Sequence, residues 1–263
     1  MLTLGGSASD ALTGLLGAAR RPARVVGSGP FAAYLATDDG EVVAVVTADA
    51  VRLPCAIVLA PGTPVPPWLH PGATAVVGAA AVQAGAGTVR VHRWWRAPTV
   101  TPRPISDVGR RALADRLQGH ALPDGVATAL RRAGRCLARG DGPGAADHLV
   151  PVLGLGAGLT PSADDAVAGL LLGAVGKAVH EAAVLVGRAA PARTTAVSAA
   201  LLQHAARGRA AAPVVRAHDA LTGRGDLTGA LDALWALGHT SGADTAAGLL
   251  TAAMAEPAVR RAA

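Results

Sequence analysis

The chain has 263 residues and a formal net charge of +6, with 51% hydrophobic, 16% charged and 2% aromatic residues, 33 Gly and 18 Pro. One large domain or two modest ones can bury a core at that length without disulfides, and the hydrophobic content excludes disordered and collagen-like classes. Cys55 and Cys136 are too few for a disulfide framework and have no companion ligands at zinc spacing, so both read as small buried side chains.

A mean hydropathy of +0.37 raises the question of a membrane span, which needs about 20 apolar residues. The best run, Ala166 to Gly176, is closed by Lys177, His180 and Glu181 and fits a buried helix instead. Met1 to Asp10 lacks the basic and apolar regions of a signal peptide, so a cytoplasmic protein without membrane contact is expected. Lys177 is the only lysine; Arg alongside abundant Ala, Gly and Pro reads as biased coding rather than as a polyanion-binding surface. A nucleic-acid binder should interleave basic clusters with stacking aromatics. Only Arg93-Trp94-Trp95-Arg96 does so, and its alternation with Val89 and Val91 fits a strand end with Arg stacked on Trp. No nucleic-acid partner is expected.

From the N-terminus, Ser9 to Arg20 reads as a helix with Ser9 or Asp10 as its cap. Short β-branched runs follow at residues 24–26, 41–47, 56–59, 73–77 and 88–92. Asp38-Asp39-Gly40 is a hairpin turn and Pro61 to Pro67 a loop. Residues 1–100 are therefore expected to form a β-rich, barrel-like domain with an N-terminal helix. Three prolines between Pro98 and Pro104 mark the boundary. Beyond it, residues 106–139, 162–188, 192–207, 213–222, 226–237 and 243–255 show helical apolar spacing. The fold class is α+β: a β-rich domain, then an all-helical domain over 101–263.

Several motifs fail on inspection. Gly27-Ser28-Gly29-Pro30-Phe31-Ala32, with Asp49 downstream, imitates a dinucleotide fingerprint, but Pro30 removes an N–H where pyrophosphate needs one and Phe31 to Ala36 reads as strand. His180-Glu181 lacks the second His of a zinc-protease motif, since Val184 stands there. Gly176-Lys177 lacks the upstream Gly and following Ser/Thr of a phosphate loop.

What survives is Gly154-Leu155-Gly156-Ala157-Gly158-Leu159-Thr160-Pro161-Ser162-Ala163-Asp164-Asp165. Thr160 can cap and Pro161 suits the first helical position; a Gly-rich loop entering a helix N-terminus favours an anion. An ordinary helix start, with Ser162 and Asp165 as an acidic capping box, explains those two residues but neither the glycines nor Asp164. A second stretch, Gly238-His239-Thr240-Ser241-Gly242-Ala243-Asp244, echoes the first: Asp165 precedes Gly169-Leu170-Leu171 as Asp244 precedes Gly248-Leu249-Leu250. Two such helix starts would aim at one pocket; chance similarity in an Ala/Gly-rich chain is the competing explanation. A third stretch, Arg193-Thr194-Thr195-Ala196-Val197-Ser198, places Thr194 and Ser198 four apart on one helix face, with Arg193 able to reach a carboxylate.

Together the three stretches resemble the AllH family, named for a subunit of oxamate carbamoyltransferase that acts in anaerobic allantoin breakdown beside FdrA-type and AllG-type subunits. The likeness covers roughly residues 150–255. The family has Pro at the position of Ala157 and Gly at that of Ala163. The resemblance implies carbamoyl transfer from carbamoyl phosphate to an amide or amine nitrogen such as that of oxamate. Gly156, Gly158, Thr160 and Ser162 would hold phosphate, Arg193 a carboxylate or phosphate, and Thr194, Ser198, Thr240 and Ser241 would line the same substrate site. Asp164, Asp165 or Asp244 would orient or deprotonate the nucleophile, and His239 is an acid/base candidate. No cofactor is required; if a divalent ion binds, the paired Asp carboxylates are its only plausible ligands. The expected partners are a small anionic substrate, FdrA-like and AllG-like subunits, or further copies of the chain. The alternative is a non-catalytic subunit that binds a metabolite for associated chains. No classical nucleophile is evident, so direct displacement is the simpler chemistry.

Overall fold

The computed structural model describes residues 2–255, and the chain divides after Pro98 into two compact units. The first is a closed eight-stranded barrel built from β1 (Leu2–Ser9), β2 (Arg21–Ser28), β3 (Ala32–Thr37), β4 (Val42–Val46), β5 (Ala56–Leu59), β6 (Thr74–Gly78), β7 (Ala81–Ala84) and β8 (Gly87–Trp95), in the order β1-β5-β4-β3-β2-β6-β7-β8. β1–β8 and β4–β5 pair in parallel and the rest antiparallel. Closure leaves no unpaired edge. Val25, Leu35, Val45, Ile57, Val77, Val82 and Val89 are buried in its core.

Two strands and one helix depart from expectation. The expected helix over Ser9 to Arg20 shrinks to a 3-10 turn at Asp10–Leu12 and α1 (Thr13–Gly17), because β1 runs as far as Ser9. Ser9 is the cap, its hydroxyl accepting the Ala11 N–H at 3.2 Å. β1 escapes notice because Leu-Thr-Leu-Gly-Gly-Ser-Ala-Ser lacks β-branched alternation. Its glycine is dictated by tertiary packing: a Cβ on Gly6 would stand 2.6 Å from Ile57 Cγ2 on β5. β7 was likewise unread; at four residues it is too short for a period.

The second unit holds α2 (Asp107–Arg116), α3 (Val126–Ala138), α4 (Gly142–Leu149), α5 (Ser162–Gly173), α6 (Lys177–Ala189), α7 (Ala196–Ala205), α8 (Ala212–Leu221), α9 (Leu227–Trp235) and α10 (Ser241–Ala255). The long helices expected over 106–139 and 162–188 are each broken in two. Gly119 and Gly125, both at φ +81, end one and start the next, and Gly176 at φ +123 interrupts the other. α4 and the 3-10 turns at Val150–Val152 and Ala190–Ala192 were not foreseen. Leu130, Leu149, Val167, Leu170, Val186 and Leu202 form the centre of the helical core. Among the described residues no helix is long and apolar enough to cross a membrane.

α5 and α10 lie side by side in parallel and in almost backbone contact. A Cβ on Gly169 would stand 2.1 Å from the Thr245 carbonyl oxygen, and one on Gly248 would stand 2.0 Å from that of Ala166. The contact is reciprocal. Aligning Asp165 with Asp244 pairs Ala166 with Thr245, Gly169 with Gly248 and Ser162 with Ser241, the first residues of the two helices. The sequence echo is thus a local two-fold relation, with both N-termini at one end.

Candidate functional site

The joined starts of α5 and α10 collect three carboxylates in different surroundings. Asp164 is 1% exposed and fully engaged: its carboxylate accepts the Gly154 N–H at 2.8 Å, the Ser198 hydroxyl at 2.7 Å and the Thr194 hydroxyl. Bonds to a charged acceptor are among the stronger ones, so Asp164 fastens the start of α5 to the glycine loop and to α7. Thr195 caps α7 by accepting the Ser198 N–H at 3.1 Å, while its own hydroxyl donates to the Leu159 carbonyl. Thr194 therefore precedes the helix instead of sharing its face with Ser198. The two hydroxyls meet at Asp164 all the same.

The loop from Gly154 to Thr160 folds back over the helix start. Gly154 has φ +83 and Gly156 φ +124; a Cβ on the first would meet the Arg193 carbonyl oxygen at 2.4 Å, and one on the second the Ser162 nitrogen at 2.6 Å. Only glycine fits either place. Gly158 is exposed at the loop's outer turn. Pro161 occupies the N-cap of α5 rather than the first helical position, and no side chain caps the helix. The acidic capping box of Ser162 and Asp165 does not form. Instead Ala163 N–H donates to the Leu155 carbonyl at 3.0 Å, and the Asp164 and Asp165 N–H groups donate to the Pro161 carbonyl at 2.9 and 3.2 Å. In the first turn the Ala163 N–H is thus satisfied by the loop, and those of Asp164 and Asp165 by the N-cap carbonyl.

Asp165 is the member of the set whose carboxyl is raised. Its Oδ2 is enclosed and has no hydrogen-bond partner. Burial pushes its carboxyl up to about 7, the neighbouring Asp244 and Asp164 charges push the same way, and the Ser241 and Thr160 hydroxyls pull against them. Thr160 Oγ1 and Ser241 Oγ lie 3.2 Å apart, one from each half of the repeat. Asp244 is 1% exposed; its Oδ1 meets His120 Nε2 at 2.9 Å and its Oδ2 is buried without a partner. His120 lies on the loop between α2 and α3, directly after Gly119. Reading residues 106–139 as one helix hid that loop; a helix-breaking glycine followed by a histidine was the available signal.

The remaining candidates sit apart from this cluster. His239 and Thr240 are exposed ahead of α10, Thr240 contributing only a carbonyl to the Asp244 N–H at 2.9 Å. Arg193 is exposed, and its backbone carbonyl, not its guanidinium, is what abuts the loop. Among the described residues no group of three His, Cys, Asp or Glu side chains is arranged to hold a metal ion, in keeping with the engagement of Asp164 by three protein donors. What the cluster offers chemically is a carboxyl that is half ionised near neutral pH, flanked by two hydroxyls and backed by an Asp–His pair.

Residues 152–253 match the family model described as oxamate carbamoyltransferase subunit AllH. That segment contains Asp164, Asp165, Thr194, Ser198, Ser241 and Asp244; His120 and the whole barrel lie outside it. No solved structure matches the chain.

Proposed function

We propose that the helical unit carries a carbamoyl-transfer site at the paired starts of α5 and α10, working within a multi-subunit carbamoyltransferase. The observation that carries this reading is Asp165: a carboxyl held near 7 with an enclosed, unpartnered oxygen, inside the segment that matches the AllH model. In the reaction, the acceptor nitrogen attacks the carbamoyl carbon of carbamoyl phosphate. The N–C bond forms, the C–O bond to phosphate breaks, phosphate leaves, and Asp165 takes the proton released from nitrogen. A base matched to ambient pH is what such a step needs. Thr160 and Ser241 orient the acceptor, while Asp244, held by His120, keeps the Asp165 charge expensive and so maintains its basicity. The exposed glycine loop and Arg193 receive the phosphate end.

One observation favours a second reading. The N–H groups of Ala163, Asp164 and Asp165 are already bonded to Leu155 and Pro161 carbonyls, which suits a scaffold that presents the loop to a catalytic partner subunit. Differential scanning fluorimetry of the chain separates the two. Carbamoyl phosphate at 100 times its dissociation constant should add about 2.7 kcal/mol of stability, and Arg193→Ala, at the exposed residue that receives the phosphate, should remove most of the gain. Stabilisation only upon adding partner subunits supports the scaffold, and no stabilisation in any combination overturns both.

A further inference from the structure

We propose that the barrel unit carries a ligand site of its own, a groove over β1 that binds an organic phosphate of about mononucleotide size. A cavity of about 470 Å³ opens there, lined entirely by the first unit and including Gly5, Gly6, Arg52, His92, Arg93 and Trp95. Its basic members are brought together by an irregularity in the sheet. Along β1 and β8, Gly6 pairs with Val91 but Ser7 with Arg93, so His92 is the extra residue of a bulge. Plain alternation would send His92 and Arg93 to opposite faces. Val89 and Val91 are buried while Arg90 and His92 are exposed, so the bulge brings Arg93 and Trp95 to the side on which His92 stands, and all three line the groove.

Arg52 reaches the groove from the loop between β4 and β5. Among the described residues, none makes an ion pair or side-chain hydrogen bond with Arg52, His92 or Arg93, and no acidic side chain lines the groove. Two exposed guanidinium groups lining one concavity without a counter-charge give it a positive potential that draws an anion. Two guanidinium forks and an imidazole match a phosphate dianion better than a monoanion. The cavity is far larger than one phosphate group, so the anion must carry a body. Trp95 provides a fixed aromatic wall, its indole Nε1 donating to the Ser7 carbonyl at 3.0 Å, and Val58, Leu59 and Pro61 add apolar surface. Gly5 leaves the floor bare, since a Cβ there would lie 3.3 Å from the His92 ring. A phosphate at the arginines with a planar ring against Trp95 uses every part of the groove.

Calorimetric titration of the full chain with AMP, adenosine and inorganic phosphate tests the site. AMP should bind at least tenfold more tightly than adenosine, more weakly as salt is raised, and at least tenfold more weakly to an Arg52→Ala, Arg93→Ala variant. Both arginines are exposed, so a melting curve should show that variant fully folded. Arg24→Ala, elsewhere on the barrel, and Asp165→Asn in the other unit should leave AMP binding unchanged. Equal affinity for AMP and adenosine, AMP binding that survives the double substitution, or binding of single-stranded RNA without binding of AMP would each overturn the proposal.

Discussion

Replacing Asp165 by Asn should make the protein more stable above neutral pH while destroying its proposed activity. The carboxyl moves from 3.8 to about 7 on folding, a shift of about three units at 1.36 kcal/mol each, or about 4 kcal/mol. Between these two values the folded chain holds a proton that the unfolded chain has released, so wild-type stability declines as pH rises from about 4 to 7 and levels off beyond. Asn keeps the shape and hydrogen-bonding capacity of the protonated acid at every pH. The two proteins should therefore be nearly equally stable at pH 4, with the variant gaining about 4 kcal/mol by pH 8.5. Urea unfolding followed by circular dichroism at both pH values measures this. An Asn variant that is destabilised equally at both, or that retains the wild-type slope, would refute the assignment of the raised carboxyl to Asp165.

Other substitutions test the supports of the site. Asp164→Asn turns an acceptor of three donors into a group with a donor of its own, which should cost about 2–3 kcal/mol and expose Leu155 or Leu159 to rapid chymotryptic cleavage. His120→Ala leaves the Asp244 carboxylate buried with neither oxygen paired; a loss of about 1–3 kcal/mol in chemical denaturation is expected. Gly248→Ala drives a methyl to 2.0 Å from the Ala166 carbonyl, so α5 and α10 must separate, and a destabilisation of about 1–3 kcal/mol should appear as a lowered melting temperature.

Much of this arrangement was legible before any coordinates. The glycine loop, the echo of Asp165 in Asp244 and the small residues at Gly169 and Gly248 are encoded locally, because close parallel helices leave a repeated sequence mark. Non-local features were not. β1 is a strand because barrel closure pairs it with β5 and β8, not because its own residues favour extension, and the glycine that Ile57 demands at position 6 interrupts its pattern. His120 belongs to the site through a loop 124 residues from Asp244, a distance that no periodicity can bridge. Arg193 and His239 were chosen for chemistry that their types can perform, but exposure is set by tertiary packing, which leaves both outside the carboxylate cluster. Asp164 shows the converse: Thr194 and Ser198, named for the same site from the sequence, donate to it together with the Gly154 N–H, a convergence that needs the folded loop to be seen.

The decisive measurement is phosphate release from carbamoyl phosphate in the presence of oxamate, with the chain alone and mixed with candidate FdrA-like and AllG-like subunits, as a function of pH. The account predicts a rate that rises with an inflection near pH 7 and falls by about 10²–10⁴-fold in Asp165→Asn while the protein remains folded. Turnover within a few-fold of wild type in that variant, with the same pH profile, would contradict it.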